Sequence, residues 1–224
     1  MDIAPSLFLS SLRDSDIMSR GLLIVVEGCD RSGKSTQCAR LTERLNATGH
    51  SAKLLKFPDR TTQTGQMIDG YLKQSSHMND QAIHLLFSAN RWEAMDAMEQ
   101  MLKSGTHLVV DRYAFSGVAF SSAKGLDLEW CKHPDVGLLV PDLVLFLDLS
   151  IDEAEKRGGF GVERYETREL QTKVREKFMA LKELSWKVID AKGSMDEVHS
   201  AMWDIVNQAV EKPVENDLVF GLWK

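Results

Sequence analysis

The chain has 224 residues, 43% of them hydrophobic and 27% charged, with a formal net charge of −6. That length supports one substantial core and leaves little room for a second. The acidic balance excludes a broad nucleic-acid-binding surface, and the absence of any apolar run of roughly 18–20 residues in the sequence excludes a membrane-spanning helix.

Residues 1–20, MDIAPSLFLSSLRDSDIMSR, precede the first apolar run and read as a frayed N-terminal extension. A weak mitochondrial targeting segment is the alternative, though Asp2, Asp14 and Asp16 spoil a basic transit peptide. Cys29, Cys38 and Cys131 form neither a disulfide framework nor a CxxC zinc pattern. They suit a reducing compartment, so the expected location is the cytoplasm, with the nucleus also compatible.

Leu22–Val26, LLIVV, reads as a central parallel strand because it is apolar on both faces. It runs into residues 28–35, GCDRSGKS, which match G-x-x-x-x-G-K-[ST] between a strand and a helix. Gly28 and Gly33 let the backbone wrap with its amides inward, and Ser32 and Thr36 complete the cradle around a triphosphate. Lys34 reaches the β- and γ-phosphates, and Ser35 offers a hydroxyl to Mg²⁺. Asp30 and Arg31 are charged where the turn needs no charge. Arg31 is expected to serve the transferring phosphoryl group and Asp30 to face a second substrate.

A helix is predicted over Thr36–Thr48, then a strand over Ala52–Phe57, closed by Pro58-Asp59-Arg60. Asp80–Leu102 reads as one long amphipathic helix, with Ala82, Leu85, Leu86 and Ala89 as its stripe and Met95, Met98, Met101 and Leu102 continuing it. Phe87 and Arg91 lie one turn apart on this helix. An aromatic face stacks on a base and a guanidinium donates to a base carbonyl, so the pair reads as a base clamp. The alternatives are a core Phe87 and an Arg91 ion pair with Asp80 or Glu93.

His107–Val110 is a third strand ending in Asp111-Arg112, Asp142–Leu147 a fourth and Trp186–Ile189 a fifth. Asp111 sits where a Mg²⁺-side carboxylate belongs, and Arg60 and Arg112 are placed to hold an acceptor phosphate. Glu27 orients either the glycine turn or the acceptor. Asp148 is read as a helix N-terminal residue without a basic neighbour. Helices over Ile151–Arg157, Glu166–Leu184 and Val198–Ala209 complete the alternation. RGGFGVERYE, from Arg157 to Glu166, reads as a glycine-containing lid that excludes water, with Arg157 on adenine, Arg164 on phosphate and Tyr165 at the acceptor sugar. The result is an α/β three-layer fold: a five-stranded parallel sheet flanked by helices, as in P-loop NTPases, over a single domain 21–224.

EGCDRSGKSTQ at 27–37, KFPDR at 56–60, HLLFSANRWE at 84–93, VVDRYAFSGVAFSSAK at 109–124, PDLVLFLDLS at 141–150 and the lid resemble the eukaryotic-type thymidylate kinase family. The resemblance runs from about Gly21 to Lys224. It implies Mg²⁺-dependent transfer of the γ-phosphoryl group of ATP to dTMP, giving dTDP and ADP, by a homodimer, for which the Met95, Met98 and Met101 stripe suits either the contact between copies or the core. It further implies Asp30 near the sugar 3′-hydroxyl, Arg60 and Arg112 on the dTMP phosphate, and Phe87 and Arg91 on thymine. Tyr113, Ser116, Gly117 and Phe120 belong to the segment lining the acceptor site. Tyr165 lies near the sugar 2′ position, and Arg157 and the loop 190–194 border adenine. The bacterial variant lacks an arginine at the place of Arg31, so the eukaryotic arrangement fits better. The familiar FPER segment reads FPDR here, and the loop from Ala123 to Trp130 is slightly shorter. Rival readings are another nucleoside monophosphate or deoxynucleoside kinase, and a P-loop module without phosphotransfer. A GTPase is disfavoured by the lack of N-K-x-D, and a nucleic-acid-dependent ATPase by the charge.

Overall fold

The computed structural model describes residues 20–157, 163–212, 214 and 217–224. The N-terminal extension apart from Arg20, and Gly158, Gly159 and Gly161 of the lid, lie outside the described residues. Five strands, β1 (Leu23–Glu27), β2 (Ala52–Lys56), β3 (His107–Asp111), β4 (Leu143–Asp148) and β5 (Lys187–Asp190), form one parallel sheet in the order β2-β3-β1-β4-β5.

The continuous apolar runs are explained by burial on both faces. Leu23, Val25, Leu108, Val110, Val144 and Phe146 point to one side. There they meet α4 (Met95–Lys103), α5 (Ala114–Ala123) and α8 (Arg168–Leu181) through Met98, Phe115, Val118 and Phe178. Ile24, Val26, Val109, Leu145 and Leu147 point to the other, against α1 (Lys34–Ala47), α7 (Ile151–Lys156) and α9 (Met195–Val210). Each fully buried Val, Leu or Ile contributes about 1.5–3 kcal/mol, so a central strand has nowhere else to go.

The long helix expected over Asp80–Leu102 is two helices. α3 (Asp80–Trp92) ends at Glu93, and α4 begins at Met95. The apolar stripe on α3 is also corrected: Ala82 and Leu85 face solvent, while Ile83, His84, Ser88, Asn90 and Arg91 are buried. The buried face is polar because its partners are polar, namely Asp59, Ser121, Cys131 O and Asp135. Met95 and Met98 are buried core residues against the sheet, and Met101 packs half-buried beside them.

Two longer helices have no helical expectation in the sequence. α2 (Gln63–Leu72) starts at Thr62, whose hydroxyl accepts from the Gly65 N–H at 3.1 Å. α5 is buried on nearly all sides and so shows no amphipathic period. A short α6 (Leu128–Lys132) and a 3₁₀ turn at His133–Asp135 follow it. The chain leaves β1 toward β2 and leaves β3 toward β4, so the strand order reverses between β1 and β3. A crevice at such a reversal is where ligands bind in open α/β sheets.

Candidate active site

The phosphate loop leaves β1 at that crevice. Gly28 has φ +149°, and a Cβ there would sit 2.6 Å from the Leu147 carbonyl oxygen. Gly33, at φ +95°, is the N-cap of α1 and turns the amides of the first helical turn into the crevice. Lys34 Nζ donates to Cys29 O at 2.6 Å and Ser32 Oγ at 3.3 Å. Burial, and then the nearby Arg112 charge, lower its proton affinity to a pKa of about 8. A polyphosphate beside that ammonium compensates for both effects.

β3 delivers Asp111 to the same edge, where its Oδ2 accepts from Ser35 Oγ at 2.5 Å. Among the described residues, Asp111 Oδ1 is buried without a hydrogen-bond partner. A hydroxyl and a carboxylate in contact, with one acceptor oxygen left over, fit Mg²⁺, which takes hard oxygen ligands and few from protein.

Arg112 follows at φ +69°, a left-handed turn that throws its side chain back over the loop. Its guanidinium donates to Asp30, to Gly28 O at 3.2 Å and to Ser116 Oγ at 3.1 Å. The turn is held by Glu27. That buried carboxylate accepts from the N–H of Tyr113 at 2.9 Å, the N–H of Ser116 at 3.0 Å and the Ser116 hydroxyl at 2.5 Å. Glu27 thus caps α5 from β1, a sharper role than the choice left open by sequence. Burial raises its pKa, opposed by the Ser116 bond and the Arg112 charge. Tyr113 itself is buried, its hydroxyl donating to Leu139 O at 3.1 Å.

These residues open into a cleft of about 470 Å³. Asp30, Arg31, Lys34, Ser35 and Thr36 line its donor end, with Asp111 and Arg112 at the floor. Arg60, Phe87, Arg91, Tyr113, Ser116, Gly117, Phe120 and Tyr165 line the rest. Of the expected site residues, Gly28, Ser32 and Arg157 stand outside this lining. The first two shape the loop from behind. Arg157 donates to Arg31 O at 3.1 Å and to Ala191 O, which puts it between the loop and the segment after β5.

Phe87 is half-buried, held by a small cluster with Ile68, Tyr71, Leu72 and Ile83, and its remaining surface faces the cleft. Arg91 is 2% exposed and its partner is neither Asp80 nor Glu93. Nε and Nη2 bond the two oxygens of the fully buried Asp135 at 3.1 and 2.5 Å. Ser88 Oγ adds a third bond to Asp135 at 2.7 Å.

The described part of the lid segment is acidic toward the cleft. Glu163 accepts from Arg60 Nη1 at 2.8 Å and Nη2 at 3.1 Å, and Glu166 from Arg31 at 3.3 Å. Arg164 is corrected. It points away, donating to Tyr71 O at 2.8 Å and Ser76 O at 3.1 Å at the end of α2. Asp148 also gains a basic neighbour, bonding Arg175 through both oxygens at 2.8 Å, while Ser150 caps α7. Sequence reading missed Gln171 of α8. This buried amide accepts from the Asp30 N–H at 2.9 Å and donates to Asp30 Oδ2 at 2.5 Å and Tyr165 O at 3.0 Å. Its place in a helical stripe gave no signal beyond a polar residue among apolar ones.

A glycine phosphate loop, a metal-side carboxylate and a second, aromatic-and-arginine pocket within one cleft define a P-loop nucleotide kinase. The thymidylate kinase family model matches residues 26–202. A thymidylate kinase of Arabidopsis thaliana is 54% identical over 217 residues, covering 96% of this chain and 82% of its own. The human thymidylate kinase is 49% identical, covering 92% and 98%. The solved thymidylate kinase of Candida albicans superposes with a TM-score of 0.84 at 37% identity, over 91% of this chain and 99% of that one. The chain belongs to the thymidylate kinase family.

Proposed function

We propose that the cleft transfers the γ-phosphoryl group of ATP to the 5′-phosphate of dTMP, giving dTDP and ADP. The observation that carries this is the shared cleft: the phosphate loop and the Phe87–Arg91 face of α3 open into it together, with Arg31, Arg60 and Arg112 along it. An acceptor phosphate oxygen forms the new bond to the γ-phosphorus as the bond to the β,γ-bridging oxygen breaks, and ADP leaves with that electron pair. No proton need move. The work is positioning and charge neutralisation.

Lys34 and the loop amides neutralise the β- and γ-phosphates, and Arg31 meets the group in transfer. Arg60 and Arg112 take the acceptor phosphate, which competes with Glu163 and Asp30 for them. Phe87 stacks on the thymine ring, Arg91 donates to a ring carbonyl, and Tyr165 crowds the sugar. Arg157 and the segment after β5 border adenine. Ser35 and Asp111 would hold Mg²⁺, which when bound spreads the charge of the transferring group. The lid segment limits water, the competing acceptor.

ADP release measured with dTMP, dUMP, dCMP, AMP and thymidine as acceptors tests this reading. Turnover highest with dTMP is expected, and a clear preference for AMP would overturn the thymine pocket.

For the partner, the reading favours a second copy of the chain. The packed helices α2 and α3 leave Met67 and Leu85 50% and 48% exposed, a suitable contact between copies. Sedimentation equilibrium should give a dimer that Leu85→Glu weakens; a monomer at all concentrations contradicts it. A reducing compartment suits the three free, buried thiols. Imaging the full chain beside one starting at Gly21 tests whether residues 1–20 redirect it from the cytoplasm to mitochondria.

A further inference from the structure

His84, Phe87, Ser88 and Arg91 recur at i, i+3, i+4 and i+7, so α3 turns one face toward α5. On that face Arg91 lies against Gly117, where a Cβ would come within 2.8 Å of its Nη2. One turn further along α5 is Ser121, which also lines the cleft. Ser121 does not bond its own helix in the manner of Ser122, whose hydroxyl donates to Val118 O at 2.8 Å. Its Oγ is instead 2.8 Å from His84 Nδ1.

The ring geometry fixes which atom donates. His84 Nε2 is 2.9 Å from Cys131 O, and a carbonyl oxygen only accepts. Nε2 therefore carries the proton. Burial, and then the Arg91 charge, lower the proton affinity of this histidine and keep the ring neutral. A neutral ring protonated at Nε2 has a lone pair at Nδ1, so the Ser121 hydroxyl donates to it. The single proton of Ser121 is spent there, and toward the cleft it offers only lone pairs.

We propose that His84 is a positioning residue that sets the hydrogen-bonding direction of Ser121, so that the cleft selects a 4-oxo pyrimidine over a 4-amino one. Arg91 presents donors and Ser121 an acceptor. Thymine and uracil match that pair with an acceptor O4 beside a donor N3–H. Cytosine carries a donor amino group and an acceptor N3, and mismatches both. The inference rests on the acceptor pocket proposed above and deepens it.

Two measurements test it. In the wild-type protein, ¹⁵N chemical shifts of the His84 ring should report the neutral Nε2–H tautomer. An Nδ1–H or doubly protonated ring overturns the proposal, without recourse to any variant. The ratio of kcat/KM for dTMP over dCMP should fall about tenfold or more in His84→Gln, whose amide orients either way, and in Ser121→Ala. The KM for ATP should stay unchanged in His84→Gln. Equal losses for both acceptors in these variants overturn the proposal and leave the kinase reading intact. A wild-type protein without dTMP turnover removes that underlying reading instead.

Discussion

Asp135 grips Arg91 with both carboxylate oxygens, at 3.1 and 2.5 Å from Nε and Nη2, and both side chains are buried. The 3₁₀ turn that carries Asp135 thereby fixes the guanidinium of a helix it follows by more than a full strand and helix. Removing one member of a buried pair strands the other charge, typically at a cost of about 3–5 kcal/mol. Asp135→Asn should therefore lower the unfolding midpoint and raise the KM for dTMP about tenfold, with the KM for ATP unchanged. Parallel rises in both constants would contradict the assignment of Arg91 to the acceptor.

Asp111 has one oxygen on Ser35 and one buried oxygen without a hydrogen-bond partner among the described residues. Asp111→Asn keeps the shape and removes the charge that a hard cation prefers. The Mg²⁺ concentration for half-maximal turnover should rise about tenfold or more, and chelation of Mg²⁺ should stop turnover in the wild type. An unchanged Mg²⁺ dependence in the variant would remove Asp111 from the metal site.

The strand–helix alternation, the phosphate loop and Asp111 were legible because each is a local signal. An apolar run buried on both faces and a G-x-x-x-x-G-K-S turn need no knowledge of the rest of the chain. The Phe87–Arg91 pair was half legible: both residues stood out on α3, but Asp135, 44 positions on from Arg91, became the partner of that arginine only through folding. The stripe of Ala82 and Leu85 misled because α3 buries its polar side against α5 and the Asp135 turn and leaves apolar groups outside. α5 was invisible as a helix for the opposite reason, being buried nearly all round. Glu163 and Glu166 lay in a segment whose arginine and tyrosine drew the reading, yet they are the residues that face Arg60 and Arg31.

His84, His107 and His199 are buried, and burial is the main reason each has a pKa below the ordinary 6.5. His107 Nδ1 accepts from the Leu22 N–H at 3.0 Å, which requires an unprotonated nitrogen. In the unfolded chain each takes a proton near pH 6.5, before the folded chain does. Stability is therefore fully present above that pH and falls as pH drops below it, by at most about 1.4 kcal/mol per pH unit for each histidine. Urea midpoints at about pH 7.5 and 5.5 measure this. A lower midpoint at the acidic value is expected, and equal midpoints would contradict the neutral burial of these rings.

The central claim is that two nucleotides meet with their phosphates facing inside one cleft. A crystal structure with dTMP and a non-hydrolysable ATP analogue measures it most directly. The account predicts the thymine ring against Phe87 and Arg91, the triphosphate in the loop at Lys34, and adenine between Arg157 and Ala191. A thymine ring bound away from α3, with the phosphate loop still occupied by the analogue, would contradict it.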